Sequence, residues 1–165
     1  MKISTWNLNS INARIDHLIK FIKSDQSDIY LLQELKSIEE NFPKKEIKNL
    51  GYHCYVNGQK AWNGVAILSK KELPIINTKI PNYNDENARF LETEIILSKI
   101  KQKIKLICIY LPNGNPIETN KFDYKIEWMK KFNDYIIKLK KNMTPIIIGG
   151  DFNVIPNDED VYSSE

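Results

Sequence analysis

Five polar residues carry the chemistry this chain could perform: Asn7, Glu34, Tyr110, Asp151 and Asn153. Two carboxylates, a phenol and two amides are side chains that phosphoester hydrolysis uses. Glu34 suits Mg²⁺, which takes oxygen ligands, keeps several waters and needs only one or two carboxylates besides a substrate phosphate. Asp151 can take a proton from an attacking water or orient it. Asn153, two residues further along an extended segment, lies on the same side and can hold that water or the phosphoryl oxygens. Tyr110 can donate to a phosphate oxygen, and Asn7 can position Asp151 or a metal-bound water. Each has a plainer reading: a solvated strand-end carboxylate for Glu34, an Asx-type turn around Asp151, a packing tyrosine for Tyr110.

What joins them is placement. Residues 2–8, 28–32, 105–111 and 145–148 read as strands, and Asn7, Glu34, Tyr110 and Asp151 fall at or just beyond their C-terminal ends. Ligands of sheets flanked by helices bind outside such ends. The runs at 28–32 and 145–148 are continuously apolar, as strands buried on both faces are. Gly149 and Gly150 are expected to let the backbone turn tightly before Asp151.

The intervening segments must hold those ends in place. Ile11, Ile15, Leu18, Ile19 and Ile22 mark one face of a helix with start signals at Ser10 and Asn12. Phe122, Ile126, Met129, Phe132, Ile136 and Leu139 mark the longest helix, over about 119–141. A short helix runs from Phe42 and Pro43 to Asn49. Further strands are expected at 52–56, 65–68, 75–80 and 90–97. The pair 65–68 and 75–80 reads as a hairpin, and 90–97 with 105–111 as a meander. Residues 82–87 form a polar loop without order signals. Strands and helices alternate, so the class is α/β, with a mixed sheet flanked by helices.

With 165 residues, 42% hydrophobic and 27% charged, the chain has the size and balance of one folded domain and not of a disordered segment. The net charge is +3, and residues 157–165 hold four acids and no Lys or Arg, so the remaining body is more basic. A basic body is compatible with a polyanionic partner, although a Lys-rich solvated surface gives the same balance. Cys54 and Cys108 lack metal-type spacing and read as reduced thiols of a reducing compartment. No leader-like or membrane-length apolar stretch is present, and a cytoplasmic location without membrane partners is expected. His17 and His53 stand apart from every motif and are assigned to structure, which leaves nucleophile triads unsupported.

Five blocks in order carry a resemblance: Thr5-Trp6-Asn7-Leu8-Asn9-Ser10, Leu32-Gln33-Glu34-Leu35-Lys36, residues 58–67 with Trp62-Asn63-Gly64-Val65, Tyr110-Leu111-Pro112-Asn113-Gly114, and Gly150-Asp151-Phe152-Asn153. Together they resemble the exonuclease III family of abasic-site endonucleases, within the wider DNase I-like endonuclease/exonuclease/phosphatase superfamily. Phosphatase relatives share the Asn, Glu and Asp-x-Asn elements, but the blocks at 63–67 and 110–114 resemble the repair branch. The resemblance implies a four-layer α/β sandwich in which two mixed sheets pack face to face between helices. It implies that Glu34 holds Mg²⁺, or alternatively Mn²⁺, with Asn7 nearby, that Tyr110 contacts the scissile phosphate, and that Asp151 and Asn153 activate and place the water. Lys36, Lys60, Asn63, Arg89, Asn113, Gly114 and Asn115 would approach double-stranded DNA carrying abasic sites or 3′ ends.

The family continues past the Asp-x-Asn block to a Trp-rich loop and an Asp-His pair that supplies a catalytic imidazole. Nothing among residues 1–165 takes its place. The chain is therefore expected to be an incomplete domain of a repair exonuclease and abasic-site endonuclease with impaired turnover, or a silent fragment that binds DNA or a complementing chain. It is also expected to leave the inner face of its first sheet uncovered, which favours self-association. A phosphatase for a small phosphoester is a third reading.

Overall fold

The computed structural model describes residues 1–97 and 101–160. Two βαβ units frame it. In the first, β1 (Ile3–Asn7) leads through α1 (Ile11–Asp25) to β2 (Ile29–Gln33), which pairs with β1 in parallel, Asn7 opposite Gln33. In the second, β7 (Gln102–Tyr110) leads through α3 (Asn120–Lys141) to β8 (Ile146–Asp151), again in parallel, with Tyr110 opposite Asp151. Parallel neighbours point their C-terminal ends the same way, so Asn7 and Gln33 share one sheet edge and Tyr110 and Asp151 share another.

Antiparallel strands complete each sheet. The short α2 (Lys44–Lys48), preceded by a 3₁₀ turn at Glu39–Asn41, leads into β3 (His53–Asn57) and β4 (Val65–Ser69), giving the order β1-β2-β4-β3. The second sheet runs β5-β6-β7-β8, with β5 (Ile75–Asn77) and β6 (Phe90–Leu97) antiparallel. A second 3₁₀ turn at Asp158–Asp160 follows β8.

The period-2 alternation of each strand divides its side chains between two cores. Tyr30, Leu32, Ala66 and Leu68 face outward against Leu18 and Ile22 of α1. Ile29, Leu31, Val65 and Ile67 face inward and meet Leu91, Ile95, Leu106 and Cys108 of the second sheet. On the far side Phe90, Ile107 and Ile109 pack against Trp128, Phe132 and Leu139 of α3. The result is four layers, helix, sheet, sheet and helix.

Several expectations change. The sheet-to-sheet core covers the inner face of the first sheet, so the uncovered face expected from sequence is not there; among the described residues the edge strands are β1 and β3 in one sheet and β5 and β8 in the other, and β1 and β8 lie side by side. The hairpin between 65–68 and 75–80 does not form. β4 is flanked by β2 and β3, so both its edges are taken, and β5 crosses to the other sheet to pair with β6. Gly149 and Gly150 do not turn the chain but continue β8. Leu31 Cδ1 would lie 2.6 Å from a Cβ at Gly149, and the Ile109 carbonyl oxygen would overlap one at Gly150, where φ is +148°. The glycines serve close approach of strand to strand.

The apolar face of α3 is also rotated from its expected position. Ile126 and Met129 are exposed, while Trp128 and Phe132 are buried and Tyr124 and Tyr135 are partly so. Counting only wholly apolar residues misses amphipathic aromatics, whose polar tips reach buried acceptors: Tyr135 O–H donates to the buried Glu92 at 2.6 Å, and Trp128 Nε1–H to Asp85 at 3.1 Å.

Candidate active site

Both sheets deliver their carboxylates to one place. The Asn7 side-chain amide donates to Glu34 Oε1 at 3.0 Å and to Asp151 Oδ2 at 2.7 Å, linking residues that end β1, follow β2 and end β8. Its own oxygen accepts the Asn9 N–H at 3.0 Å and so turns away from Glu34. Asn7 therefore enters this cluster as a donor bridging two carboxylates. The Tyr110 hydroxyl donates to Glu34 Oε1 at 2.7 Å, and the Lys36 ammonium lies 3.2 Å from Oε2.

The backbone around Glu34 is held firmly. Glu34 and Lys36 both adopt left-handed φ, +52° and +51°, which non-glycine residues rarely take without support. The support is a set of main-chain bonds: Ser10 N–H to Glu34 O at 2.8 Å, Ile11 N–H to Leu35 O at 3.0 Å, and Lys36 N–H to Asn63 O at 2.9 Å, with Leu35 wholly buried between them. Below, Gln33 is buried and donates to Thr5 Oγ1 at 3.1 Å and toward Cys108 Sγ at 3.4 Å. Gln33 thus ends β2 inside the sheet, and the polar break comes one residue later, at Glu34.

Burial works to raise the Glu34 pKa, but the hydrogen bonds from Asn7 and Tyr110 and the Lys36 ammonium outweigh it, leaving the carboxyl below its ordinary value. Tyr110 moves the opposite way. Burial first, then donation to Glu34 and the charges of Glu34 and Asp151, hold its proton on well above the usual phenol range, against the opposing charge of Arg89. The phenol is a hydrogen-bond donor and stays one.

Asp151 and Asn153 share a turn. Asp151 Oδ1 accepts the Asn153 N–H at 2.9 Å, and Asn153 Nδ2 donates back to Leu111 O at 2.7 Å. The Asx turn read as the plain alternative is thus present, and it leaves Asp151 Oδ2 facing Asn7. An open cleft of about 700 Å³ runs past this wall, lined by Thr5, Trp6, Asn7, Asn113, Asp151 and Asn153 among others. Lys125 of α3, missed from sequence, anchors both cleft loops by donating to Asn113 O at 3.0 Å and Asn153 O at 2.7 Å.

The residues expected to approach DNA divide into two groups. Lys60, Asn113 and Asn115 are exposed, and Lys36 is half-buried beside Glu34. Arg89 stacks its guanidinium over the Tyr110 ring, 4.8 Å from its centroid, and donates to Tyr110 O at 3.2 Å. Gly114 is buried under the Lys125 stem. Asn63 differs from these: it is buried, and its amide donates to Gln59 Oε1 at 2.9 Å and Asn87 Oδ1 at 3.1 Å, where it braces a loop. Beside it Trp62 is 69% exposed, a signal that a large aromatic between two turn formers could have given in sequence. His17 and His53 lie on α1 and at the start of β3, both exposed, the latter at the opposite strand ends from the cluster.

Donor chemistry decides what this cluster could hold. Among the described residues no three His, Cys, Asp or Glu side chains converge. A cage of protein ligands is therefore not offered, but one partly exposed carboxylate already paired with a cation, Glu34 beside Lys36, fits a divalent ion that keeps most of its water.

The class this fold belongs to is given by a family model: residues 4–165 match the Endonuclease/Exonuclease/phosphatase family, and the chain belongs to it. Exodeoxyribonuclease III of Haemophilus influenzae is 33% identical over 98% of this chain and 60% of its own length. The Archaeoglobus fulgidus AP endonuclease superposes with a TM-score of 0.88 at 31% identity, covering 99% of this chain and 61% of that one. A variant of the Neisseria 3′ phosphatase NExo, bound to product DNA hairpin, gives 0.87 at 30%, covering 99% and 62%. The chain thus spans about three fifths of the length of these relatives.

Proposed function

We propose that this chain supplies the metal-binding and phosphate-binding side of an exodeoxyribonuclease III-type repair nuclease, hydrolysing phosphodiesters of double-stranded DNA at abasic sites and 3′ ends. The observation that carries it is the Asn7 amide shared between Glu34 and Asp151, because it joins the carboxylates of two sheets in one cluster with a phenol donor beside them. Glu34 would hold Mg²⁺ or Mn²⁺ in place of its contact with Lys36. Such an ion stabilises charge on the phosphoryl oxygens. Tyr110 would donate to a phosphate oxygen, Asp151 would orient the attacking water, and Asn153 would keep Asp151 in that orientation through its turn. Lys36, Lys60, Arg89, Asn113 and Asn115 would meet the DNA backbone. Free thiols at Cys54 and Cys108 fit a reducing, cytoplasmic setting.

A second reading is favoured by the histidines: the sequence has only His17 and His53, and neither belongs to the cleft. A mechanism needing an imidazole would find none in this chain, which would then bind its substrate without cutting it. Incubation with an abasic-site duplex, with and without Mg²⁺, separates the two. Slow Mg²⁺-dependent incision supports the nuclease, and retention without incision supports the binding reading. A chain that neither retains nor cuts the duplex contradicts both.

A further inference from the structure

Residues 82–87 carry no order signal in the sequence, yet Asp85 within them is only 7% exposed and its carboxylate collects four donors. Oδ2 accepts the Tyr124 hydroxyl at 2.8 Å and Trp128 Nε1–H at 3.1 Å, both from α3. Oδ1 accepts the Asn87 backbone N–H at 2.9 Å and its side-chain amide at 3.0 Å. From Asn87 the network continues in two directions. Asn87 Oδ1 accepts from Asn63 Nδ2 at 3.1 Å and Gln59 Nε2 at 3.4 Å, which closes the turn carrying Lys60 and Trp62. Asn87 O accepts the Arg89 N–H at 2.9 Å, and the Arg89 guanidinium lies between the rings of Tyr110 and Tyr124, 4.8 and 5.8 Å from their centroids.

One buried carboxylate thus connects α3, the turn beside Lys36 and the arginine stacked on Tyr110. Arg89 Nε is buried without a hydrogen-bond partner among the described residues, so its head group is oriented by the two rings together with its Nη1–H bond to Tyr110 O. Both the Tyr124 ring and the Arg89 backbone are tied to Asp85.

We propose that Asp85 is a positioning residue for DNA: it holds Arg89 against Tyr110, aimed at a phosphate of the duplex backbone. The proposal rests on the reading of the cleft as a DNA site. Asparagine cannot replace Asp85 in this role, because in one flip its NH₂ group faces the Trp128 Nε1–H and in the other the Asn87 backbone N–H, each a donor that needs an acceptor. A buried acceptor lost in this way leaves donors unsatisfied and releases what they hold.

The test is equilibrium binding of the 165-residue chain to a short duplex with a tetrahydrofuran abasic analogue, without divalent metal, across a series of KCl concentrations. Arg89→Ala should weaken binding about tenfold and lower the salt slope by about one, as loss of one phosphate contact does. Asp85→Asn should do the same, and the double variant should fall within about twofold of Arg89→Ala alone, because the two changes remove one contact. A purely structural Asp85 would lower the thermal midpoint and leave the salt slope of the folded protein unchanged. Wild-type affinity and slope in a folded Asp85→Asn, or losses that multiply in the double variant, overturn the proposal. Should Asp85→Asn fail to fold, Tyr124→Phe decides: a lowered slope supports the proposal and an unchanged slope overturns it. Wild-type binding by Arg89→Ala instead overturns the assignment of Arg89 to DNA, and with it the role given to Asp85.

Discussion

Asn7 shows how much one amide decides. Two carboxylates brought together repel, and an N–H donor placed between them offsets part of that cost while setting their orientation. A divalent cation would offset more. Adding millimolar Mg²⁺ should therefore raise the thermal midpoint of the chain, and Glu34→Gln should abolish that rise; a variant still stabilised by Mg²⁺ to the wild-type extent would place the ion elsewhere. A second carboxylate acts far from the cleft. Asp25 is held below its ordinary pKa first by the Lys2 ammonium at 2.5 Å, then by the hydroxyls of Ser27 and Ser4. Its folded pKa lies under its unfolded one, so its stabilisation is present above the ordinary carboxylate range and is lost as pH falls toward the folded value. Asp25→Asn should be less stable than wild type at about pH 7 in urea unfolding, with the gap starting to narrow only as pH falls below about 4, the unfolded carboxylate range, and closing toward the folded value. A gap that stays constant would contradict the assignment.

At the scale of elements, β8 has to lie close to two neighbours at once. The Cβ that would strike Leu31 at position 149 meets the end of a flexible side chain, which can rotate aside. The one at position 150 meets the Ile109 backbone, in a backbone conformation that L side chains rarely adopt. Gly149→Ala should cost about 1 kcal/mol and Gly150→Ala about 3 kcal/mol or more, read from urea midpoints. Equal costs would mean that the strand shifts as a unit. Helix α3 gives the matching lesson about polarity. Its buried stripe carries Tyr124, Trp128 and Tyr135, which satisfy Asp85 and Glu92, and Glu92 is further paired with Lys105. A helix chosen only for apolar burial would leave Asp85 and Glu92 without these donors.

The whole molecule has covered sheet faces and, among its described residues, four edge strands, β1, β3, β5 and β8. The cores between the sheets and on both outer faces are continuous, so the sandwich does not lack a layer. β1 and β8 each have one neighbour, every residue of β8 is partly exposed, and Phe152, Val154 and Ile155 beyond it are exposed apolar residues. Open edges next to apolar side chains favour pairing with another chain. Sedimentation velocity should show concentration-dependent association at about tens of micromolar, weakened by Val154→Lys with Ile155→Lys. A monomer at every concentration would show that these edges are protected.

The sequence alone determined which polar residues stand at or just beyond the strands, because hydrophobic runs, breakers and helical spacing are local signals, but not that β8 runs on through Gly149 and Gly150 to Asp151. It determined the helices α1 and α3 for the same reason. It could not show that β5 leaves β4 for β6, since only the count of neighbours around β4 excludes a hairpin there. It could not show that Asn63 turns inward or that Asp85 organises a loop of ordinary polar residues, because both depend on partners 24 to 43 positions away. The tertiary structure decided which polar side chains face the cleft and which hold it in place, because a buried donor must find an acceptor and that acceptor is seldom near in sequence.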